Sequence, residues 1–269
     1  MQDGWHYGAF VFWRRTAAAF RHATPGNCPL CGAAARGGLL CRGCRHQVCT
    51  PRDPERPIRC PRCALPLGLG KPCFDCIGAP PAFMRAIVAY DYLMPGDTLM
   101  RAFKSSGDAR RADALAELLA RAIDATPALD ARASSGSRLA AGACAAANAS
   151  PVSPALLVPI PASAAGLRRR GFNPAGEIAR ALRWRLRVPL ARGALLRTRE
   201  SGQQSARTRE ARWREVEGLF ESRTLVNGYH VMLVDDVMTT GSTLDAAARA
   251  VLAQGAVAVT ALAVARAVR

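Results

Sequence analysis

Residues 231–244, V-M-L-V-D-D-V-M-T-T-G-S-T-L, constrain this chain more than any other stretch. Four apolar residues read as a buried strand, two adjacent acids stand at its end, and a turn rich in Thr, Gly and Ser opens a helix. That order suits a sugar phosphate. Backbone N–H groups of residues 239–243 would converge on the first helical turn, where unpaired donors and the helix dipole favour an anion. Asp235 and Asp236 are positioned to accept hydrogen bonds from a ribose diol. Gly241 lets backbone approach the anion closely, and the hydroxyls of Thr239, Thr240, Ser242 and Thr243 add donors. The helix carries Leu244, Ala248 and Val251 on one face and stops at Gly255. An ordinary polar turn is the plain alternative, but two acids followed by four hydroxyl residues around one glycine is a poor way to build one.

The second constraint is a repeat. C-P-L-C, nine residues, then C-R-G-C is followed by C-P-R-C, nine residues, then C-F-D-C. Cys28, Cys31, Cys41 and Cys44 thus recur 32 positions later as Cys60, Cys63, Cys73 and Cys76. Each C-x-x-C turn presents two thiolates to one tetrahedral ion, so the spacing predicts structural zinc, which also supplies folding free energy to a segment poor in large apolar residues. Disulfides and a redox C-x-x-C are the alternatives. Two sequential ribbons are the simplest ligand pairing, and a cross-braced pair stays open. Cys49 and Cys144 are left as free thiols, and His46 as a spectator. Arg36, Arg42, Arg45, Arg52, Arg56, Arg59 and Arg62 surround the knuckles and tilt the module slightly towards an anionic partner.

After Pro80 and Pro81 the pattern becomes that of an α/β domain. Residues 85–92 and 156–160 read as strands, 97–103 as a helix start, 112–123 as a helix with Leu115, Leu118, Leu119 and Ile123 at helical spacing, and 256–264 as a last strand. The expected organisation is a leader at 1–27, a double zinc-ribbon module at 28–78, and an α/β domain at 82–269 with a flexible Ala/Ser/Pro-rich insertion at about 124–155. Arg168, Arg169 and Arg170 crowd a predicted loop just before a helix starting near Asn173, which suggests a second anion site of the kind a pyrophosphate needs.

Composition bears on partners and compartment. The net charge is +17, which favours polyanions, nucleic acid first and anionic membrane second. Lys71 and Lys104 are the only lysines, and the Ala/Arg/Gly bias fits a GC-rich genome equally well. The apolar run at 8–13 is too short for a secretory signal, and the run at 256–268 too short to span a bilayer and broken by Arg266, so a cytoplasmic, reducing location without a membrane span is expected.

V-D-D-V-x-T-T-G-x-T after a strand resembles the 5-phosphoribosyl 1-pyrophosphate (PRPP) motif of type I phosphoribosyltransferases. R-x-R-G-F-N upstream of it, behind a cysteine module, resembles the ComF family, the ComFC and GntX-like proteins, over nearly the whole chain from Cys28. The resemblance implies a type I phosphoribosyltransferase-like parallel sheet flanked by helices and an N-terminal zinc-ribbon module. It also implies PRPP with Mg²⁺ as ligand, and a part in uptake or use of external DNA, with single-stranded DNA and competence-machinery proteins as partners. By the same resemblance residues 195–220 contain a loop closing over PRPP, with Arg197, Arg199, Gln203 and Gln204 as contacts and Ser201 where the family often has Thr. A charged helix without a site role is the alternative there, and Trp213 reads as core, lid anchor or stacking residue. Two departures matter. Pro174 stands where the family commonly has Gln, and Thr239 stands where oxopurine transferases resemble V-E-D-x-x-D-T-G with a third acid, so any general base must come from elsewhere.

Overall fold

The computed structural model describes residues 24–49, 58–126, 153–199, 218–223 and 226–268. Most of the leader, most of the insertion, Cys144, and Ser201, Gln203, Gln204 and Trp213 of the closing loop lie outside the described residues.

Strands β5 (Arg85–Asp91), β6 (Ala155–Pro159), β9 (His230–Met238) and β10 (Ala258–Arg266) form the central sheet, in the order β5-β10-β9-β6 and wholly parallel. The last strand therefore lies inside the sheet, beside the acid-bearing one. Both its neighbours cover it, which is why its Val, Leu and Ala residues are buried on both faces. Beyond β6 the bridge between Leu157 and Leu190 adds one further parallel contact at the edge.

Side chains along the strands alternate between two cores. Val231, Leu233, Val259, Ala261 and Ala263 face one, and Met232, Val234, Leu262 and Val264 the other. Helices α3 (Gly96–Ser106), α4 (Ala109–Asp124) and α6 (Pro174–Leu186) contribute to the second core through Leu99, Met100, Phe103, Leu115, Leu119, Ile178 and Leu182. Helix α7 (Ser242–Ala253) covers the first face with Leu244, Ala248 and Val251, the stripe its sequence periodicity marks. A short hairpin of β7 (Leu195–Arg197) and β8 (Phe220–Ser222) packs beside it.

The cysteine modules are small. The first has hairpin β1 (Pro25–Asn27) and β2 (Ala34–Arg36) with helix α1 (Arg42–Cys49); the second has β3 (Ile58–Arg59), β4 (Pro66–Leu67) and the single turn α2 (Phe74–Gly78). They sit on opposite faces of the one sheet. Cys28, Leu40, Cys44 and Val48 join the core that holds Tyr90 and Leu115, whereas Cys60, Cys63 and Ala64 join the core that holds Phe83, Met238 and Leu244.

Candidate functional site

The four sulfurs of Cys28, Cys31, Cys41 and Cys44 lie within 4.8 Å of one another, and so do those of Cys60, Cys63, Cys73 and Cys76. Each set is therefore sequential, and the cross-braced pairing does not occur. The residues fit a tetrathiolate ion in their chemistry as well as their spacing. Burial opposes ionisation of Cys28, but N–H donors of Cys31, Cys41 and Leu30 outweigh it and bring that thiol down to about 7. Burial and the neighbouring thiols push Cys44 up, and burial and the Cys60 charge push Cys63 up to about 11. Burial first, and then the neighbouring sulfurs, thus oppose full ionisation of each cluster, a conflict that a divalent cation would remove. Cys49 is exposed and His46 lies on α1 outside the cluster, as expected.

Asp235 and Asp236 are adjacent residues in the C-terminal part of β9, which runs on to Met238 and so extends past the acids where the sequence pattern placed its end. Desolvation, and then repulsion from Asp236, pushes the Asp235 carboxyl up to about 7, while Lys104 and Arg197 pull in the other direction. Asp236 Oδ2 pairs with Lys104 Nζ at 3.0 Å. Backbone donors steady both acids, Asp236 N–H to Asp235 Oδ1 at 2.8 Å and Val237 N–H to Asp236 Oδ1 at 2.6 Å. Lys104 is a residue that motif reading missed. Its signal was there, since it is one of two lysines in a chain whose other basic residues are all arginine.

The turn that follows needs its glycine. Gly241 has φ +83°, a region that side chains disfavour, and a Cβ there would meet Met238 Cε at 2.6 Å. Gly241 is also the N-cap of α7 and has no side chain to cap it; Ser242 N–H turns to Thr240 Oγ1 at 3.4 Å, and the N–H groups of Thr243 and Leu244 stay available to an anion. The hydroxyls divide. Thr239 is exposed and Thr243 half-buried, whereas Thr240 and Ser242 are buried and bond each other at 2.9 Å. The last two therefore shape the turn, a correction to reading all four as outward donors. Asp245 in the first turn of α7 is also structural, accepting from Ala82 N–H at 2.6 Å and from Arg249 Nε at 2.8 Å.

The arginine cluster departs from its expected setting. Arg168, Arg169 and Arg170 form the last turn of a short helix, α5 (Ala164–Arg170), rather than a loop. Ser163 caps the start of α5 by accepting from Gly166 N–H at 3.0 Å, and three cations at its C-terminus complement the dipole. Arg168 and Arg169 are exposed. Arg170 folds back so closely that a Cβ on Gly166 would lie 2.7 Å from its guanidinium. Phe172 of R-G-F-N packs edge-on against Phe103 with centroids 5.5 Å apart, joining this segment to the helix that carries Lys104. Arg197 ends β7 and lies over the Phe220 ring, its Nε donating to Arg199 O at 3.3 Å.

Arg266, read in the sequence only as an interruption of an apolar run, is 1 % exposed. Its Nε donates to Cys63 O at 2.9 Å, and its Nη1 to Met238 O and Ala267 O at 3.0 Å each and to Thr239 O. It therefore ties the second cysteine module to the turn that follows the paired acids. Burial draws its pKa down, opposed by the charges of Cys63, Asp75 and Cys73. Arg59 makes a second tie, pairing with Asp91 Oδ1 at 2.8 Å, so it is not available to an anionic partner in the way its sequence setting suggested.

Comparison with known proteins bears on the family and the fold. Residues 164–268 match the phosphoribosyl transferase domain family. Over 239 residues the chain is 31 % identical to the DNA utilization protein YhgH of Escherichia coli (strain K12), covering 87 % of this chain and 94 % of that protein. The chain belongs to the ComF family. A second ComF relative, the DNA utilization protein YhgH of Salmonella typhi, is 30 % identical over 236 residues, 86 % of this chain and 93 % of the relative. No solved structure matches significantly. The parallel sheet with flanking helices is the fold the ComF resemblance implied, and the two four-cysteine clusters are compatible with zinc-ribbon modules. Among the described residues, no helix is long and apolar enough to cross a membrane.

Proposed function

We propose that this ComF-family protein binds PRPP with Mg²⁺ at the end of β9, carries one zinc ion in each four-cysteine cluster, and works in the cytoplasm in the uptake or utilisation of DNA. The observation that carries the ligand is the start of α7 at Ser242, uncapped by Gly241 and joined to the Asp235–Asp236 pair by the short turn through Thr239 and Thr240. The acids accept from the ribose hydroxyls, and the N–H groups of residues 239–243, with exposed Thr239, hold the 5′-phosphate. Arg168, Arg169 and Arg170, with Arg197 and Arg199, neutralise the pyrophosphate, and the Gln204 amide donates to it. Asp235, raised to about 7 by burial and then by repulsion from Asp236, and Asp236 itself are oxygen donors suited to a hard cation, and Mg²⁺ held there would neutralise charge on the pyrophosphate. DNA as partner is supported by the relatives' role in DNA utilization and by the +17 charge. Competence-machinery proteins are the protein partners that fit this reading.

The test is calorimetric titration of PRPP with Mg²⁺ into the zinc-loaded protein, beside an Asp235→Ala/Asp236→Ala variant. Binding in the micromolar range that the variant loses is the expected result. Absence of binding to the folded wild-type protein would overturn it. A second reading, a non-catalytic module for single-stranded DNA or protein partners with a vestigial PRPP pocket, draws on Thr239 standing where a third acid would act. It expects DNA binding with a steep salt dependence and no response to PRPP.

A further inference from the structure

The gap between the second cysteine module and the phosphate turn has the character of a built site. It encloses ≈ 240 Å³, with Pro72, Phe74 and Asp75 on the module side and Thr239 and Thr240 on the turn side. It opens at the carboxyl ends of β9 and β10, where open α/β sheets bind their ligands. Arg266 lines it and holds both walls, bonding Cys63 O on one side and Met238 O and Thr239 O on the other. The separation of the walls is thereby set within the fold.

The lining indicates the occupant. Phe74 is 79 % exposed, an unusual position for a phenyl ring that no core requires, and it sits in a single turn between Cys73 and Cys76. Prolines and leucines flank it, and Asp75 adds an acceptor at the rim. The volume is below the ~300 Å³ at which pockets begin to bury a drug-sized ligand, so it suits one planar ring with the rest of the molecule outside.

We propose that this slot is a base site. It takes the planar heterocycle of a ribonucleotide, stacked on Phe74, while the 5′-phosphate of the same nucleotide lies on the turn at 239–243. The inference rests on the ribose-phosphate reading of that turn. It gives the second module a role in recognition and supplies a base-reading segment that no stretch of the sequence announced.

Titration of the full-length, zinc-loaded protein with ribose 5-phosphate, and separately with AMP, GMP, CMP and UMP, tests it. At least one monophosphate should bind about tenfold or more tighter than ribose 5-phosphate. Phe74→Ala should weaken that nucleotide by about 5- to 100-fold and leave ribose 5-phosphate unchanged, and Phe74→Tyr should restore the difference. Since Phe74 is exposed, the variant should match the wild type in metal content and melting temperature. If ribose 5-phosphate binds but no monophosphate binds tighter, or Phe74→Ala changes nothing, the base site is wrong and the phosphate reading stands. If ribose 5-phosphate does not bind the wild-type protein, the phosphate reading falls and the base site falls with it.

Discussion

The two cysteine modules repeat the same spacing and share almost none of their surroundings. The first rests on the face formed by α3, α4 and α6, where Cys44 and Val48 of its helix meet the core around Tyr90 and Leu115. The second rests on the opposite face, and Arg266 and Arg59 bond it to the ends of β10 and β5. Its partners include the backbone of the turn after Asp235 and Asp236, so disturbance there should reach the candidate site directly, whereas the first module meets the site only through the core it shares with α3, the helix of Lys104. Cysteine spacing thus specifies what a knuckle can bind, and packing specifies what that binding supports.

Removing the metals one cluster at a time should break this comparison most sharply. Structural zinc is worth about 10–16 kcal/mol of folding free energy in small modules, so Cys63→Ser/Cys76→Ser should unfold the second module and abolish PRPP titration. Cys31→Ser/Cys44→Ser should cost one metal equivalent and lower the melting temperature while keeping PRPP affinity within roughly threefold. Equal loss from both variants would show that the faces are not independent.

Arg266→Met is the next largest test. It leaves buried carbonyls without a donor and should cost about 3 kcal/mol in urea unfolding, with a measurable loss of PRPP affinity. Unchanged affinity would mean that the turn holds its shape without the module.

The pH response sharpens the same contrast from the side of the acids. Asp235 titrates in the fold near 7, above its ordinary 3.8, so its protonated form favours folding. That contribution is complete below the ordinary value and is lost as pH rises through about 7. PRPP binding, which needs the ionised acid, should strengthen over the same interval. Lys104→Met removes the cation 3.0 Å from Asp236 and should move the binding transition to higher pH, as titrations between pH 6 and 9 would read. An unmoved midpoint would rule out Lys104 as the counter-charge. Smallest of all, Arg59→Ala should cost about 1 kcal/mol, because its pair with Asp91 is partly exposed, and chemical denaturation would detect it.

Much of the site was legible because it is local in sequence. Strand, acids, turn and helix are contiguous from Val231 to Leu244, and short-range backbone geometry carries them. The eight cysteines were legible for the same reason, since each knuckle is a four-residue turn. Lys104, Arg266 and Phe74 were not, because each acts on residues far along the chain. Arg168, Arg169 and Arg170 were identified with the wrong local structure: A-A-G-L-R-R-R is too short to show a helical period, and only Ser163 at its start and Gly171 at its end mark α5.

The sequence by itself determined the βα turn after the paired acids, the cysteine clusters and the α/β character, because groups only a few residues apart can meet without help from the rest of the chain. Tertiary structure alone decided that the last strand runs inside the sheet, that the two modules take opposite faces, and that a buried arginine bonds one of them to the turn. The physical reason is that burial and carbonyl satisfaction are properties of the packed whole: Arg266 is one charged residue in an apolar strand until Cys63, Met238 and Thr239 bring their oxygens around it.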